Sequence, residues 1–361
     1  MRYLFTLGHP AHYHFYKHIV DGLLKREHEI KIIISNKDIL RHLLDEDTLS
    51  YTVLSTPKKN ESRFQKAKRL LSSCVALLKI VIRFKPDLMI GCLTQMGVAG
   101  FLTRTPSIFN GEDDFSYTFL QGIITYPFIK HIVTPSKTNV SFFRYKQIRY
   151  HGFQKLAYLH PRRFIPDRGK VSLTGKSPFF VLRFSSLAAY HDLNAAGLNN
   201  AIASRLIKLL EPHGRILISS ERDLPEQFEK YRFRGNLNDM HHYLYFADLY
   251  VGDSQSMAVE AAILGTPGIR FNNFVKKISV LEELESKYKL AVGIHSSQPE
   301  KLFERIETLL KVKGVDFLSA RRTKLLSDKI DVSAFMIWFL DNYPGSVEKM
   351  KQTPEIQFRF R

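Results

Sequence analysis

Short apolar runs alternate with longer amphipathic segments twice along this chain, and that order leaves few architectures open. In the first series, the apolar runs at 3–7, 29–35, 50–54, 87–91, 107–110 and 131–134 read as strands. Between them, 13–26, 38–45, 64–84 and 96–102 carry the spacing of amphipathic helices. The pattern lapses between residues 150 and 176, where Pro161, Pro166, Gly169 and Gly175 punctuate a polar stretch. It resumes with strands expected at 179–183, 215–219, 247–251, 268–271 and 291–294, and helices at 198–210, 225–228, 240–246, 257–264, 280–287 and 299–310. Such alternation calls for mostly parallel sheets with helices on both faces. The expected fold is therefore α/β, with two doubly wound Rossmann-like domains facing a cleft. Their limits fall at 1–165 and 166–330, and 331–361 reads as a C-terminal helix and basic tail returning to the first domain. Folds of this kind bind ligands outside the carboxyl ends of their strands, so the polar loops that follow strands are the places to look.

With 361 residues there is room for two domains, and 44% hydrophobic with 24% charged residues is the balance of a soluble globular protein. No run approaches the ~20 uninterrupted apolar residues a membrane span needs. The opening Met1-Arg2-Tyr3-Leu4-Phe5-Thr6-Leu7-Gly8 runs too soon into His9 and His12 to be a signal peptide. Cys74 and Cys92 form no C-x-x-C pair. A reduced, cytoplasmic setting without structural zinc is the expectation.

The formal charge of +18 implies an anionic partner. No zinc-finger spacing, RNP-like signature or recognition helix points to nucleic acid. Instead, Lys58, Lys59, Arg63, Lys66, Lys68 and Arg69 lead into Leu70, Leu71, Val75, Leu77, Leu78, Ile80, Val81 and Ile82. Such a helix could rest on the anionic inner face of a membrane, or simply pack its apolar side on a sheet.

Five loops carry chemistry. Asp253-Ser254-Gln255-Ser256 is a tight polar turn between the strand ending at Val251 and a helix that stops at Gly265 and Pro267. Backbone N–H groups, two hydroxyls and a helix dipole suit a diphosphate there, and Glu260, a turn further on, could accept from a ribose diol. A plain helix cap would read the same. Gly8-His9-Pro10-Ala11-His12-Tyr13-His14 follows the first strand, with His12 at or near the start of the first helix. Its spacing lacks the i, i+4 pair and acidic partner of a helical zinc site, so a single imidazole acting as base or phosphate donor is the better-supported role. Asn110-Gly111-Glu112-Asp113-Asp114 puts three carboxylates after a strand, where Glu112 or Asp113 could deprotonate a hydroxyl and an aspartate could cap the next helix, expected near 117–122. Arg183-Phe184-Ser185-Ser186 with His191 suits a phosphate fork, and Ser219-Ser220-Glu221-Arg222 offers further polar groups. In Arg234-Gly235-Asn236-Leu237-Asn238-Asp239-Met240, backbone groups could meet a flat base edge while Leu237 packs on it. Neither a Walker A nor a G-x-G-x-x-G sequence occurs.

Together these residues resemble those of GT-B-fold glycosyltransferases and of the non-hydrolysing UDP-N-acetylglucosamine 2-epimerases, over nearly the whole chain. Gly8 through His12 is similar to the glycine-rich loop and histidine of the peptidoglycan N-acetylglucosaminyltransferase, with fewer glycines. Asn238-Asp239-Met240, Ala247-Asp248 and Asp253-Ser254 through Glu260 resemble that family's uridine, diphosphate and ribose segment. The chain is also similar to a prokaryotic GT-B-like family of unknown function, through Gly8-His9-Pro10-Ala11-His12, Glu112-Asp113, Thr134-Pro135 and the run from Tyr150-His151-Gly152-Phe153 to Leu159.

The resemblance implies a glycosyltransferase with a nucleotide-sugar substrate, no cofactor and no metal. It places Leu237 against the base, Ser254 to Ser256 against the diphosphate and Glu260 against the ribose, with His12 or Glu112 as base. The acceptor would be a surface glycan or a lipid-linked species. Two departures set epimerisation behind transfer. Gly91-Cys92-Leu93-Thr94 stands where those epimerases carry Gly-Asp-Thr, and Gln255-Ser256 replaces their paired glycines.

Overall fold

The computed structural model describes residues 1–35, 38–56, 62–173, 177–185, 197–311 and 316–361. The chain divides into two units: Met1–Arg163 with Lys329–Arg361, and Phe164–Asp328.

Unit 1 is built on a seven-stranded sheet of β1 (Arg2–Leu7), β2 (Glu29–Ser35), β3 (Tyr51–Ser55), β4 (Leu88–Gly91), β5 (Ser107–Asn110), β6 (His131–Pro135) and β7 (Gln147–Tyr150). The spatial order is β3-β2-β1-β4-β5-β6-β7, with every neighbour parallel. The inner strands are covered on both faces, which is why they read as continuous apolar runs; Leu88, Met89 and Ile90 are fully buried. The order reverses between β1 and β4, so the crevice for a ligand opens past their carboxyl ends.

Helix Pro10–Leu24 follows β1, with His9 Nδ1 accepting from Ala11 N–H and Pro10 in the first turn. It buries Tyr13, Tyr16, Ile19, Val20 and Leu23, one face at helical spacing. Helix Val332–Asp341 packs on it so closely that a Cβ on Gly22 would lie 2.4 Å from Ile337 Cδ1. The carbonyl of Leu340 also takes the Tyr3 hydroxyl at 2.9 Å.

Unit 2 holds β8 (Phe179–Phe184), β9 (Arg215–Ser220), β10 (Leu249–Gly252), β11 (Gly268–Asn272) and β12 (Val292–His295). They run parallel in the order β12-β11-β10-β8-β9. Its switch point lies between β8 and β10. Helix Gln255–Leu264 leaves β10, buried from Met257 to Leu264, and ends where Gly265 takes a left-handed φ of 87°.

Several elements depart from the sequence expectations. Strand β7 lies between the last strand expected in the first series and the stretch where the pattern lapses, where no element was expected; it is an edge strand in which only Ile148 and Tyr150 are buried. The helix expected near 117–122 lies at Phe119–Thr125, because Asp114 to Thr118 is used by a turn. Residues 225–228 form a 3₁₀ turn extending over Glu226–Tyr231. At 280–287, an α-helical turn, Ser279–Glu282, passes into a π-helical one, Glu283–Lys287. Among the described residues, no helix is long and apolar enough to cross a membrane.

Candidate functional site

At the unit 2 switch point, the turns after β8 and β10 are bonded together. Asp253 Oδ1 accepts from the Ser185 N–H at 2.7 Å and the Ser185 hydroxyl at 2.8 Å, and Oδ2 accepts from the Leu198 N–H at 3.3 Å. Asn272 Nδ2 ties the Asp253 carbonyl to β11 at 3.0 Å. Burial pushes the Asp253 carboxyl up while these donors hold it down, so the carboxylate braces the two turns. Ser254 is the N-cap of helix Gln255–Leu264, its Oγ taking the Met257 N–H at 3.4 Å. Gln255 and Ser256 form the helix's first two positions, whose N–H groups point out of the helix end and have no intrahelical acceptor.

Arg183, the residue of β8 beside Gly252, donates from Nη1 to Ser219 Oγ at 2.6 Å and forms an ion pair with Glu221 through Nη2. Its Nε is buried without a hydrogen-bond partner among the described residues. The Asp253 N–H donates to the Arg183 carbonyl at 3.3 Å, so Arg183, Ser185, Ser219 and Asp253 form one bonded cluster, with Ser254 next to it in the chain. Gly252 lets it close, since a Cβ there would lie 2.9 Å from Arg183 Cβ.

Glu260 is buried on the same helix, with Oε1 3.6 Å from Nε2 of His241 on helix Met240–Phe246. That helix continues from a 3₁₀ turn, Leu237–Asp239, capped by Asn236, which leaves Leu237 40% exposed. Leu237 thus lies just before the short helix whose His241 faces the carboxylate of Glu260. Residues Ser186 and His191 lie outside the described residues.

In unit 1, the end of β1 passes close to the end of β4, and a Cβ on Gly8 would lie 2.7 Å from Leu93 Cδ2. His12 sits in the first turn of helix Pro10–Leu24, and its Nδ1 accepts from the Gly8 N–H at 3.1 Å. A backbone N–H can only donate, so in the neutral ring the proton is on Nε2. This imidazole presents a donor. His9 is engaged as the helix cap, and among the described residues no three His, Cys, Asp or Glu side chains gather as a metal ion would require.

The acidic loop after β5 divides its labour. Asp114 is buried and accepts from the Asn139 N–H at 2.7 Å, fastening the loop to the segment after β6. Glu112 forms an ion pair with Lys155, whose side chain is 2% exposed, while Glu112 Oε2 is buried with no hydrogen-bond partner among the described residues. Asp113 is pushed up to about 7, chiefly by burial and then by the Glu112 charge, with Lys155 pulling the other way. Cys92, after β4, donates to the Asn110 carbonyl at 2.7 Å, and burial raises its thiol to about 12. Tyr16 reaches the Asn110 amide oxygen at 2.8 Å. Sequence reasoning assigned no role to Lys155, Tyr16 or His241; the available signal was Lys155, the one formal charge in the run from Tyr150 to Leu159.

No protein-family model and no curated protein matches this sequence, so the likeness to the GT-B-like family of unknown function rests on the quoted residues alone. Solved structures do match. A UDP-GlcNAc 2-epimerase from Neisseria meningitidis, bound to UDP-GlcNAc, superposes with a TM-score of 0.66 at 14% identity, over 94% of this chain and 99% of that one. MurG of Acinetobacter baumannii gives 0.56 at 12% identity, over 94% and 99%. The spinosyn rhamnosyltransferase SpnG, complexed with spinosyn aglycone, gives 0.60 at 15% identity, also over 94% and 99%. With two parallel, helix-covered sheets matched nearly end to end, the chain has the GT-B fold that these epimerases and glycosyltransferases share.

Proposed function

We propose that this protein is a cytoplasmic glycosyltransferase that moves a hexosyl or N-acetylhexosaminyl group from a nucleoside-diphosphate sugar to a surface-glycan or lipid-linked acceptor, without a metal. The observation that carries the reading is Asp113, a carboxyl held near neutrality beside the buried Glu112–Lys155 pair. A group with that pKa takes a proton from an acceptor hydroxyl at physiological pH and releases it again, as a general base must. Cys92, by contrast, has its thiol pushed far above neutrality at the place where the resembling epimerases carry an acid.

Charge develops on the leaving diphosphate as the sugar departs. The start of helix Gln255–Leu264 and Arg183, with its Nε unengaged by the protein, supply the positive field that favours it. Glu260 accepts from the ribose diol, and Leu237 covers the base. The Nε2–H of His12 orients an oxygen of the acceptor or of the sugar, leaving proton abstraction to Asp113 with Glu112 beside it.

The deciding experiment incubates the protein with a panel of UDP-, GDP- and dTDP-sugars, with and without polyprenyl-phosphate-linked acceptors, in deuterium oxide. Nucleotide release that depends on the acceptor supports transfer. Deuterium entering C2 of the sugar without any acceptor would replace it with epimerisation. Binding of sugar nucleotides with neither result would mark a GT-B relative that binds glycan or membrane and has lost turnover.

A further inference from the structure

On unit 1, a groove of about 910 Å³ is lined by parts of helix Thr94–Thr103, the 3₁₀ turn Tyr126–Phe128 and residues Tyr343 and Lys351. Arg104, Lys130, Lys146 and Lys351 line it together with His131, and no Asp or Glu does. Among the described residues, none of the four cations is in an ion pair. They act on one another. His131 is pushed down to about 4 by burial and by Lys351, Lys130 and Lys146, and Lys146 is lowered by burial and Lys130. Among the described residues, only the Lys146 side chain of the four has a hydrogen-bonded anchor, donating to the Tyr126 and Pro127 carbonyls at 2.9 and 2.7 Å. Gathering like charges without a counter-charge costs folding free energy that a bound anion would return.

The lip of this groove is apolar. Phe101, Leu102 and Tyr145 are 64%, 61% and 69% exposed, and Phe101 meets Phe128 edge to face at 5.4 Å. The neighbouring helix Phe119–Thr125 leaves Phe119, Leu120, Ile123 and Ile124 open as well. An apolar patch of this extent is unusual on a soluble surface.

We propose that this face docks on a phospholipid bilayer carrying acidic headgroups, with a headgroup phosphate in the basic groove and Phe101, Leu102 and Tyr145 set into the interfacial layer. The partner must be anionic and apolar within a few ångströms, and a phospholipid is both. A nucleic acid would answer the lysines and leave Leu102, Ile123 and Ile124 in water. A second copy of this chain would bring the same cations against each other. The face differs from the one expected from sequence, the stretch from Lys58 to Ile82, of which Lys58 and Lys59 lie outside the described residues. There, Leu77 and Val81 are turned into the core, while Leu71, Val75 and Ile82 remain exposed on helix Arg63–Phe84, which packs beside Thr94–Thr103. The inference needs no turnover and stands apart from the transferase reading.

The test is co-sedimentation of the full chain with phosphatidylcholine vesicles with and without phosphatidylglycerol. The wild-type protein is expected to sediment with the acidic vesicles. Combined Lys130→Glu and Lys351→Glu should weaken that binding at least roughly thirtyfold, from the loss of two surface cations. Phe101→Ser with Leu102→Ser should cost about tenfold, through lost apolar insertion. Lys208→Glu with Lys301→Glu, on unit 2, should leave binding unchanged, and circular dichroism verifies the fold of every variant. The proposal is overturned by equal binding to neutral vesicles, by folded charge variants that bind as wild type, or by Phe101→Ser with Leu102→Ser dissolving a dimer without touching vesicle binding.

Discussion

Asp113 and Asp253 each stand just past the carboxyl end of a parallel strand, one in each unit, and burial raises both carboxyls. Around Asp253, the N–H and hydroxyl of Ser185 and the N–H of Leu198 work against that rise. Around Asp113, the next influence after burial is another carboxylate, and the nearby cation, Lys155, is already paired with that carboxylate. Similar desolvation therefore yields a brace in unit 2 and a group titrating near neutrality in unit 1. A carboxylate at a strand's end acquires its role from the donors aimed at it, and its position in the topology decides only where it can act.

The comparison breaks most visibly at Asp113. Asp113→Asn should lower the rate of glycosyl transfer by about 10²- to 10⁴-fold. Because a base works when deprotonated, the wild-type rate should climb with pH through about 7, and the variant should lack that limb in initial-rate measurements. A variant with the wild-type profile would remove Asp113 from the chemistry.

At Asp253, stability should be what changes. Asp253→Ala strips the acceptor from two buried or half-buried N–H groups and a hydroxyl, and should cost about 2–4 kcal/mol in urea unfolding. An unaltered midpoint would end its reading as a brace. Glu260 sharpens the contrast as a third buried carboxylate, beside His241. Glu260→Ala should weaken UDP binding by about 10- to 100-fold in calorimetry, and unchanged UDP and GDP affinity would sink the ribose assignment.

The smallest effect is on the pH dependence of folding. Between roughly pH 4 and 7, folded Asp113 keeps a proton that the unfolded chain releases, so stability falls as pH rises through that window. Asp113→Asn should remove about 2 kcal/mol of that fall, less than the full shift would give because the residue is partly exposed. Melting curves at pH 5 and pH 8 would show it; equal pH dependence in both proteins would mean that Asp113 ionises normally.

The alternation of strands and helices was legible because strands covered on both faces must be apolar throughout, as Leu88 to Ile90 are. The end of helix Gln255–Leu264 was equally plain, since a left-handed glycine leaves a residue-type signature; its start, capped by Ser254, comes two residues before the expected 257. Strand β7 was not, because a four-residue edge strand that alternates Gln147 and Arg149 with Ile148 and Tyr150 presents only two apolar residues. The acidic loop was visible, but which of its carboxylates titrates high was not. That depends first on burial and then on how the neighbouring charges are shared, including the Glu112–Lys155 pair that no local spacing links. His12 was legible as a candidate from its residue type, but its bond from the Gly8 N–H, which fixes the neutral ring's proton on Nε2, is a matter of turn geometry.

Unit 2 is a single stretch of chain, whereas unit 1 is closed by residues 329–361. During synthesis, the seven strands of unit 1 have all left the ribosome while helix Val332–Asp341, which packs on Gly22 of helix Pro10–Leu24 and sets Phe335 against Tyr150, is still unmade. At ordinary elongation rates the wait is on the order of ten to thirty seconds. The half that begins first is thus the half that finishes last, and for that interval its aromatic surface is left for chaperones, or for the wrong neighbours, to cover.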